Sequence, residues 1–302
     1  MIEGIINCFK QDGITSFGVV NYLKKHLHVK KAGHSGTLDP MAQGVLPVFI
    51  GRATRLIEYQ QDLPKIYMAE MVLGEKTDTQ DRTGTVLEKK ETGTIKKEEI
   101  LSLFEKFTGP IEQIPPMYSA VKYHGKKLYE LARKGMEIDR QPRKVSIYRI
   151  TLLEPYCDTV PFVSFEVECS SGTYIRTLCD DMGYVLGCGA CLNSLVRIST
   201  GSFHIASSYK LDEIEEYYRR GHIDEILLPF DYSVKHLPSV TVLPDFETDL
   251  LNGKRLNLSQ IEGHDLLPSQ KICIYNRDKL LLAISELQED MSLKPLKVFN
   301  RL

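Results

Sequence analysis

One carboxylate stands alone near the start of the chain. Asp39 is the sole acidic residue between Asp12 and Glu58, and it precedes Pro40 in the stretch GHSGTLDPMAQGVLPVFIGRATR, residues 33–55. Proline steers the residue before it away from helical backbone, while Gly33, Gly36 and Gly44 supply conformational freedom and close approach around it. The apolar run Val45–Ile50 that follows reads as a buried strand. The pattern predicts a tight loop that presents one carboxylate from the lip of a strand. Such a group suits nucleophilic or electrostatic work on an already reactive substrate. An Asp-Pro step is also ordinary turn chemistry, and the local residues leave both readings open.

Other chemistry-bearing residues are thinly spread. His34 shares the loop with Asp39 but reads equally well as a loop histidine with a satisfied ring. Tyr67 and Tyr174 offer stacking faces for a base, although tyrosines also fill cores. Cys188-Gly-Ala-Cys191 has metal or redox spacing, but no second pair or nearby histidine completes a four-ligand set, so these read as structural thiols. Asp180 and Asp181 are adjacent, about 100° apart on a helix, and make a poor acid/base pair. They read as a helix-surface pair or as a partner for a buried arginine. No phosphate-binding glycine loop, dinucleotide fingerprint, zinc-protease or calcium-loop motif is present, so no cofactor and no metal are expected.

The elements that must position these groups follow from periodicity. Glu3–Phe9 reads as a first strand, and Thr15 or Ser16 caps a helix with Val20, Leu23 and Leu27 on one face. Ala53–Gln60 reads as a short helix. Lys65–Leu73 alternates, so Tyr67, Ala69, Met71 and Leu73 share a strand face. The polar, turn-rich Gly74–Thr85 is expected on the surface. Thr94–Phe107 reads as a helix, Gly109–Pro116 as a proline-rich break, and 127–134 as a short helix that Gly135 ends. Val145–Leu153 and Val160–Cys169 read as strands. The second runs into SSGTYIRTLCDDMG, where Ser170, Ser171 or Thr173 caps a helix with Arg176 in its opening turns. Beyond His236–Leu237, short alternating segments predict a small β module of about 65 residues.

Length and composition describe an ordinary globular chain of about two domains: 302 residues, 42% hydrophobic and 26% charged. No apolar run approaches the roughly 18 residues needed to span a bilayer. The N-terminus carries Glu3 and no long apolar core, unlike a secretory signal. Seven scattered cysteines, an odd number, fit a reducing cytoplasm rather than a disulfide framework. Net charge is −2, yet residues 119–150 hold nine basic side chains against three acidic ones. That segment is suited to track phosphates, or is simply a solvated basic face.

The longer motifs resemble a known family. GHSGTLDPMAQGVLPVFIGRATR is similar to the catalytic-loop motif of the bacterial tRNA pseudouridine-55 synthases of the TruB type. The resemblance extends through KIYMAEMVLGEKTDTQDRTG, QIPPMYSAVKYHGKKLYELARKG, RKVSI and CSSGTYIRTLCDDMG to LVRISTGSF, covering roughly residues 1–235 in order. One departure is Gln11-Asp12-Gly13, where the family usually has a Pro-Gly turn; it bears on the entry to the first helix.

The resemblance implies an α+β pseudouridine synthase fold with a central mixed, largely antiparallel sheet flanked by helices. It implies a catalytic domain over 1–236, with an RNA-binding insertion at about 74–150, and a small PUA-like RNA-binding module over 237–302. The implied reaction turns a T-loop uridine of tRNA, at position 55, into pseudouridine in a cytoplasmic enzyme that works as a monomer without a protein partner. Residue by residue, it makes Asp39 the catalytic aspartate and His34 the residue that helps disrupt T-loop stacking. Tyr67 becomes the aromatic against the flipped base, Arg176 the partner of the carboxylate, and Tyr174 and Leu195 further lining of the uracil pocket. An RNA-binding protein without catalysis and a guide-dependent synthase are the rival readings. The Asp39, Tyr67 and Arg176 set argues against the first, and the QIPPMYSAVKYHG segment with no long basic tail argues against the second.

Overall fold

The computed structural model of the protein describes residues 2–299 apart from positions 120, 124, 133, 264 and 265, and leaves out the side chains of Lys122 and Lys127. Arg133 of the basic segment therefore lies outside the described residues. Fourteen strands precede residue 230. They are β1 (Gly4–Lys10), β2 (Ala32–His34), β3 (Gln43–Ile50), β4 (Lys65–Leu73), β5 (Glu75–Thr77), β6 (Val86–Lys89) and β7 (Gly109–Gln113). Then come β8 (Lys122–Tyr123), β9 (Lys126–Lys127), β10 (Arg143–Leu152), β11 (Phe162–Cys169), β12 (Ala190–Thr200), β13 (Phe203–His204) and β14 (Leu227–Leu228). The helices are α1 (Ser16–His26), α2 (Ile57–Gln61), α3 (Lys97–Phe107), α4 (Leu128–Ala132), α5 (Ile175–Leu186), α6 (Leu211–Arg219) and α7 (Glu247–Leu251).

Ten of these strands make one sheet in the order β14-β1-β3-β12-β4-β11-β10-β7, with β2 added to β3 and β13 to β12. Its pairings are antiparallel except for the short parallel contact of β12 with β3, Val196 beside Gln43 and Arg197 beside Gly44. That contact requires glycine: a Cβ on Gly44 would lie 2.3 Å from the Arg197 carbonyl oxygen, and its φ is +103°. The mixed, largely antiparallel sheet with flanking helices is the expected architecture. The alternation read in β4 also holds, since Tyr67, Ala69, Met71 and Leu73 are buried while Met68 is exposed.

Two buried clusters hold helices on the sheet. Ile100, Leu103 and Phe104 of α3 and Ile175, Leu178 and Met182 of α5 pack on the inward face of β4, β11 and β12. Val19, Val20 and Leu23 of α1 and Ile214 of α6 pack on β1 and β3. Ile5, Val45 and Phe49 point the other way, against Cys273, Leu281, Ile284 and Phe299 of a six-stranded C-terminal sheet. That sheet has strands at Ser239–Val242, Leu256–Asn257, Ile261–Glu262, Lys271–Tyr275, Leu281–Leu287 and Ser292–Val298. No helix of the described residues is long and apolar enough to cross a membrane.

Local expectations hold at the first helix and change elsewhere. Thr15 caps α1 through its hydroxyl, which accepts from the Gly18 N–H at 2.9 Å. The cap of α5 is instead Tyr174, with no side-chain cap bond; Thr173, one residue earlier, donates its hydroxyl to the Ser170 carbonyl. The proline-rich 109–116 stretch begins with strand β7 at the sheet edge, where Pro110 costs no interior ladder bond. The 53–60 helix is a 3-10 turn over Gly51–Leu56 followed by α2. The polar 74–85 stretch is not a surface loop throughout: β5 pairs with β6, and Thr77 and Asp81 are buried.

Candidate active site

Asp39 sits in the loop between β2 and β3, one-third exposed, opposite the start of α5. Arg176, the second residue of α5, reaches it with two nitrogens. Its Nη2 donates to Oδ1 at 3.2 Å, and Nε lies 2.8 Å from Oδ2 in an ionic contact too poorly aligned to be a hydrogen bond. The guanidinium is 4% exposed and has further partners. Nη1 donates to Thr79 O at 3.1 Å and lies 3.6 Å from Asp81 Oδ2, and Nη2 also donates to Tyr118 O at 3.0 Å. Arg176 thus ties the Asp39 loop, the 78–85 turn and the segment around Tyr118 to one helix end.

Asp81 was missed by sequence reasoning, since it lies in a polar stretch with the composition of a surface loop. The turn docks instead on β12, with Arg82 N–H to Leu192 O at 2.9 Å and Leu192 N–H to Gln80 O at 3.0 Å. Thr79 Oγ1 and the Thr83 N–H fix the Asp81 carboxylate at 2.8 and 2.9 Å. One buried cation therefore faces two carboxylates. Burial pushes the Asp39 carboxyl above its ordinary 3.8; Arg176 and Lys10 oppose the rise, and Asp81 adds to it. Arg176 therefore favours the ionised form of Asp39, but burial outweighs it.

The loop itself is tied down from below. Ser16 Oγ donates to Leu38 O at 3.0 Å and lies 2.8 Å from the Leu38 N–H. Lys10, fully buried, donates to the carbonyls of Gln11, Pro40 and Ala42 at 3.0, 3.0 and 2.6 Å. Burial brings its ammonium down to about 8. The Gly13 N–H, in the turn where the chain departs from the family's Pro-Gly, donates to Pro40 O at 3.0 Å. A lysine closing the apolar run GIINCFK was a usable signal for a buried anchor; the isolated serine was not.

Tyr67 and Leu195 belong to the same buried apolar cluster as Leu38 and Ala42 of the Asp39 loop and Ile175 of α5. Burial pushes the Tyr67 phenol up; the charge of Arg197, its register partner on β12, opposes the rise, and Asp39 adds to it. Tyr174 is half-buried, and its backbone is held by Gln113 of β7: the Tyr174 N–H donates to Oε1 at 3.0 Å and Nε2 donates to Tyr174 O at 3.2 Å. His34 ends β2, paired with Val48, with Nδ1 buried and unpartnered. Burial lowers its pKa and Arg197 adds to the fall, so the ring is neutral at pH 7. No group of three metal-ligating side chains occurs among the described residues, and all seven cysteines are free. Asp180 accepts from Gln80 Nε2 at 3.0 Å, so it buttresses the 78–85 turn rather than meeting an arginine.

An aspartate contacted by two nitrogens of a buried arginine, near Tyr67 and an apolar cluster, suits a planar, uncharged ring brought close to the acid. Comparison with known proteins points the same way. Residues 24–175 match the family described as TruB family pseudouridylate synthase, N terminal domain, and residues 176–235 the tRNA pseudouridylate synthase B C-terminal domain. A protein of Dehalococcoides mccartyi strain CBDB1 named tRNA pseudouridine synthase B is 42% identical over 99% of this chain and 97% of its own length. A protein of Alkaliphilus oremlandii with the same name is 40% identical over 100% of this chain and 99% of its own. Among solved structures, a chain from a Cbf5-Nop10-Gar1 complex superposes with a TM-score of 0.78 at 28% identity, covering 98% of this chain and 84% of that one. A chain from an H/ACA RNP bound to a substrate RNA containing 2'-deoxyuridine also gives 0.78, at 26% identity over 99% and 85%. With a matching family description over half its length and relatives of 40–42% identity along nearly all of it, the chain belongs to the TruB family of pseudouridylate synthases.

Proposed function

We propose that the protein isomerises the T-loop uridine of tRNA at position 55 to pseudouridine, with Asp39 acting on a flipped-out nucleotide and no cofactor. The single observation that carries this reading is the Asp39–Arg176 contact, 2.8 and 3.2 Å, at the edge of the cluster that holds Tyr67 and Leu195. The relatives' shared name, tRNA pseudouridine synthase B, supports tRNA as the substrate.

A uridine inside a folded loop must leave its stack, at a cost of a few kcal/mol. An aromatic face recovers roughly 1–3 kcal/mol of that, the part assigned to Tyr67, with Leu195 and Tyr174 lining the pocket. His34, a neutral ring at the loop edge, is assigned to disrupting the T-loop stacking. Arg176 orients Asp39 and favours its ionised form through charge-assisted contacts. The carboxylate then acts on the ribose C1′, on uracil C6, or by removing a proton towards a glycal. The bond broken and the bond made lie within one nucleotide, so the reaction is redox-neutral and needs no outside group. Residues 1–236 are assigned to catalysis and 237–302 to a PUA-like RNA contact. The enzyme is assigned to the cytoplasm, as a monomer. Incubating the purified protein with an unmodified tRNA transcript and no other factor tests the reading. Pseudouridine at position 55 is the expected product, and its formation only after a guide RNA or protein is added would favour the guide-dependent alternative.

A further inference from the structure

Arg197 heads the largest fully buried side chains of the described residues, at 0% exposure, and the roles assigned above make no use of it. Its Nε donates to Val45 O at 2.7 Å and its Nη2 to Gly36 O at 3.1 Å. Those two carbonyls stand at opposite ends of the segment that carries Asp39. The Arg197 backbone lies between Gly44 of β3 and Tyr67 of β4. Its third nitrogen, Nη1, is buried without a hydrogen-bond partner beneath the Gly36 turn, where an added Cβ would come within 3.5 Å of it. Among the described residues no carboxylate pairs with Arg197. A buried cation without a counter-charge is costly, and an apolar side chain of similar volume packs more cheaply where packing is all that is needed. Lys10 already holds the middle of the loop through Pro40 and Ala42, so what Arg197 adds is a rigid planar fork that reaches both ends at once.

We propose that Arg197 is a positioning residue for the isomerisation: by fastening Gly36 and Val45 to the strand beside Tyr67, it sets the place of Asp39 relative to the stacked base. The inference rests on the proposed function. Arg197→Lys keeps the charge but loses the fork, and Arg197→Gln keeps a planar donor but loses reach and charge. Each is compared with the unaltered protein in single turnover on prebound tRNA, in tRNA affinity, and in amide exchange of the free protein. The expected result is affinity within about threefold and a rate lower by about 100-fold, the order that a misplacement of about 1 Å costs. The Leu38 amide, hydrogen-bonded to Ser16 Oγ, and the Ala42 amide, hydrogen-bonded to Asp39 O, should exchange about tenfold faster while the β4 amides do not change. A rate within about threefold of the unaltered protein overturns the inference. So does a joint fall of folding, affinity and rate in both variants, which reduces Arg197 to packing. If the unaltered protein fails to convert tRNA, the proposed function fails, and the exchange comparison still judges the clamp.

Discussion

At the scale of single residues, the site is an electrostatic balance around one guanidinium. Asp39 pays a burial penalty that Arg176 and Lys10 only partly offset. With its folded pKa raised, Asp39 takes up a proton at a higher pH than a free carboxyl, and the ionised form that the proposed reaction uses is lost on acidification. The rate of pseudouridine formation in single turnover should therefore fall on an acid limb lying above the ordinary 3.8 of an aspartate. A limb at or below that value would contradict the burial argument. Arg176→Lys keeps the charge but not the two-nitrogen contact, and a rate loss of about 100-fold is expected at a tRNA affinity close to that of the unaltered protein. Near-normal turnover would argue against the pair. Asp39 was legible as a candidate because Pro40, three glycines and a buried run frame it; Arg176 was legible only as a residue in a helix's opening turns, and its pairing with Asp39 came from the resemblance. Asp81 was not, because a buried carboxylate in a threonine-rich turn has the same composition as an exposed one.

At the scale of elements, α5 does two jobs: its first turn presents Arg176, and its next turn supports the turn that bears Asp81. Thr177 donates its hydroxyl to Gln80 Oε1 at 2.8 Å, and Asp180 accepts from Gln80 Nε2 at 3.0 Å. Asp181, alongside, is raised to about 6, mainly by burial and then by Asp180. A carboxyl with a raised folded pKa adds stability that is full below its unfolded value and is lost as pH rises through the folded one. Asp181→Asn should thus stabilise the protein by about 1 kcal/mol at pH 7.5, and by much less at pH 4.5, a figure reduced from the full linkage value for solvent screening. Urea unfolding at the two pH values measures it, and an equal effect at both would contradict the assignment. Periodicity located β4, β11 and α5 well, since each turns one apolar face inward. It missed β7 and the β5–β6 hairpin, which are short edge or paired segments held by neighbours rather than by their own apolar pattern.

At the scale of the whole molecule, charge and packing separate the catalytic face from its supports. Within the basic segment, Arg140 donates to Ile138 O and Pro115 O, and Arg149 bonds Glu166, so these serve the fold. Among the described side chains of this segment, Lys126, Lys134, Arg143 and Lys144 are exposed and suited to phosphates. Replacing Lys126, Arg143 and Lys144 by glutamine should reduce the salt slope of tRNA binding by roughly 0.7–0.9 per lost contact, and an unchanged slope would remove them from the interface. The C-terminal β module was legible from its short alternating segments. Its seat on Ile5, Val45 and Phe49 was not, because one strand's two buried faces read as a single apolar run. The central claim is that Asp39 carries out chemistry on a uridine of tRNA. Its most direct test is single-turnover tritium release from tRNA labelled at uracil C5, with the unaltered protein and with Asp39→Asn. Prompt release from the first, and none above background from an Asp39→Asn protein that still binds the tRNA, is the predicted result. Release by Asp39→Asn at a comparable rate would contradict it.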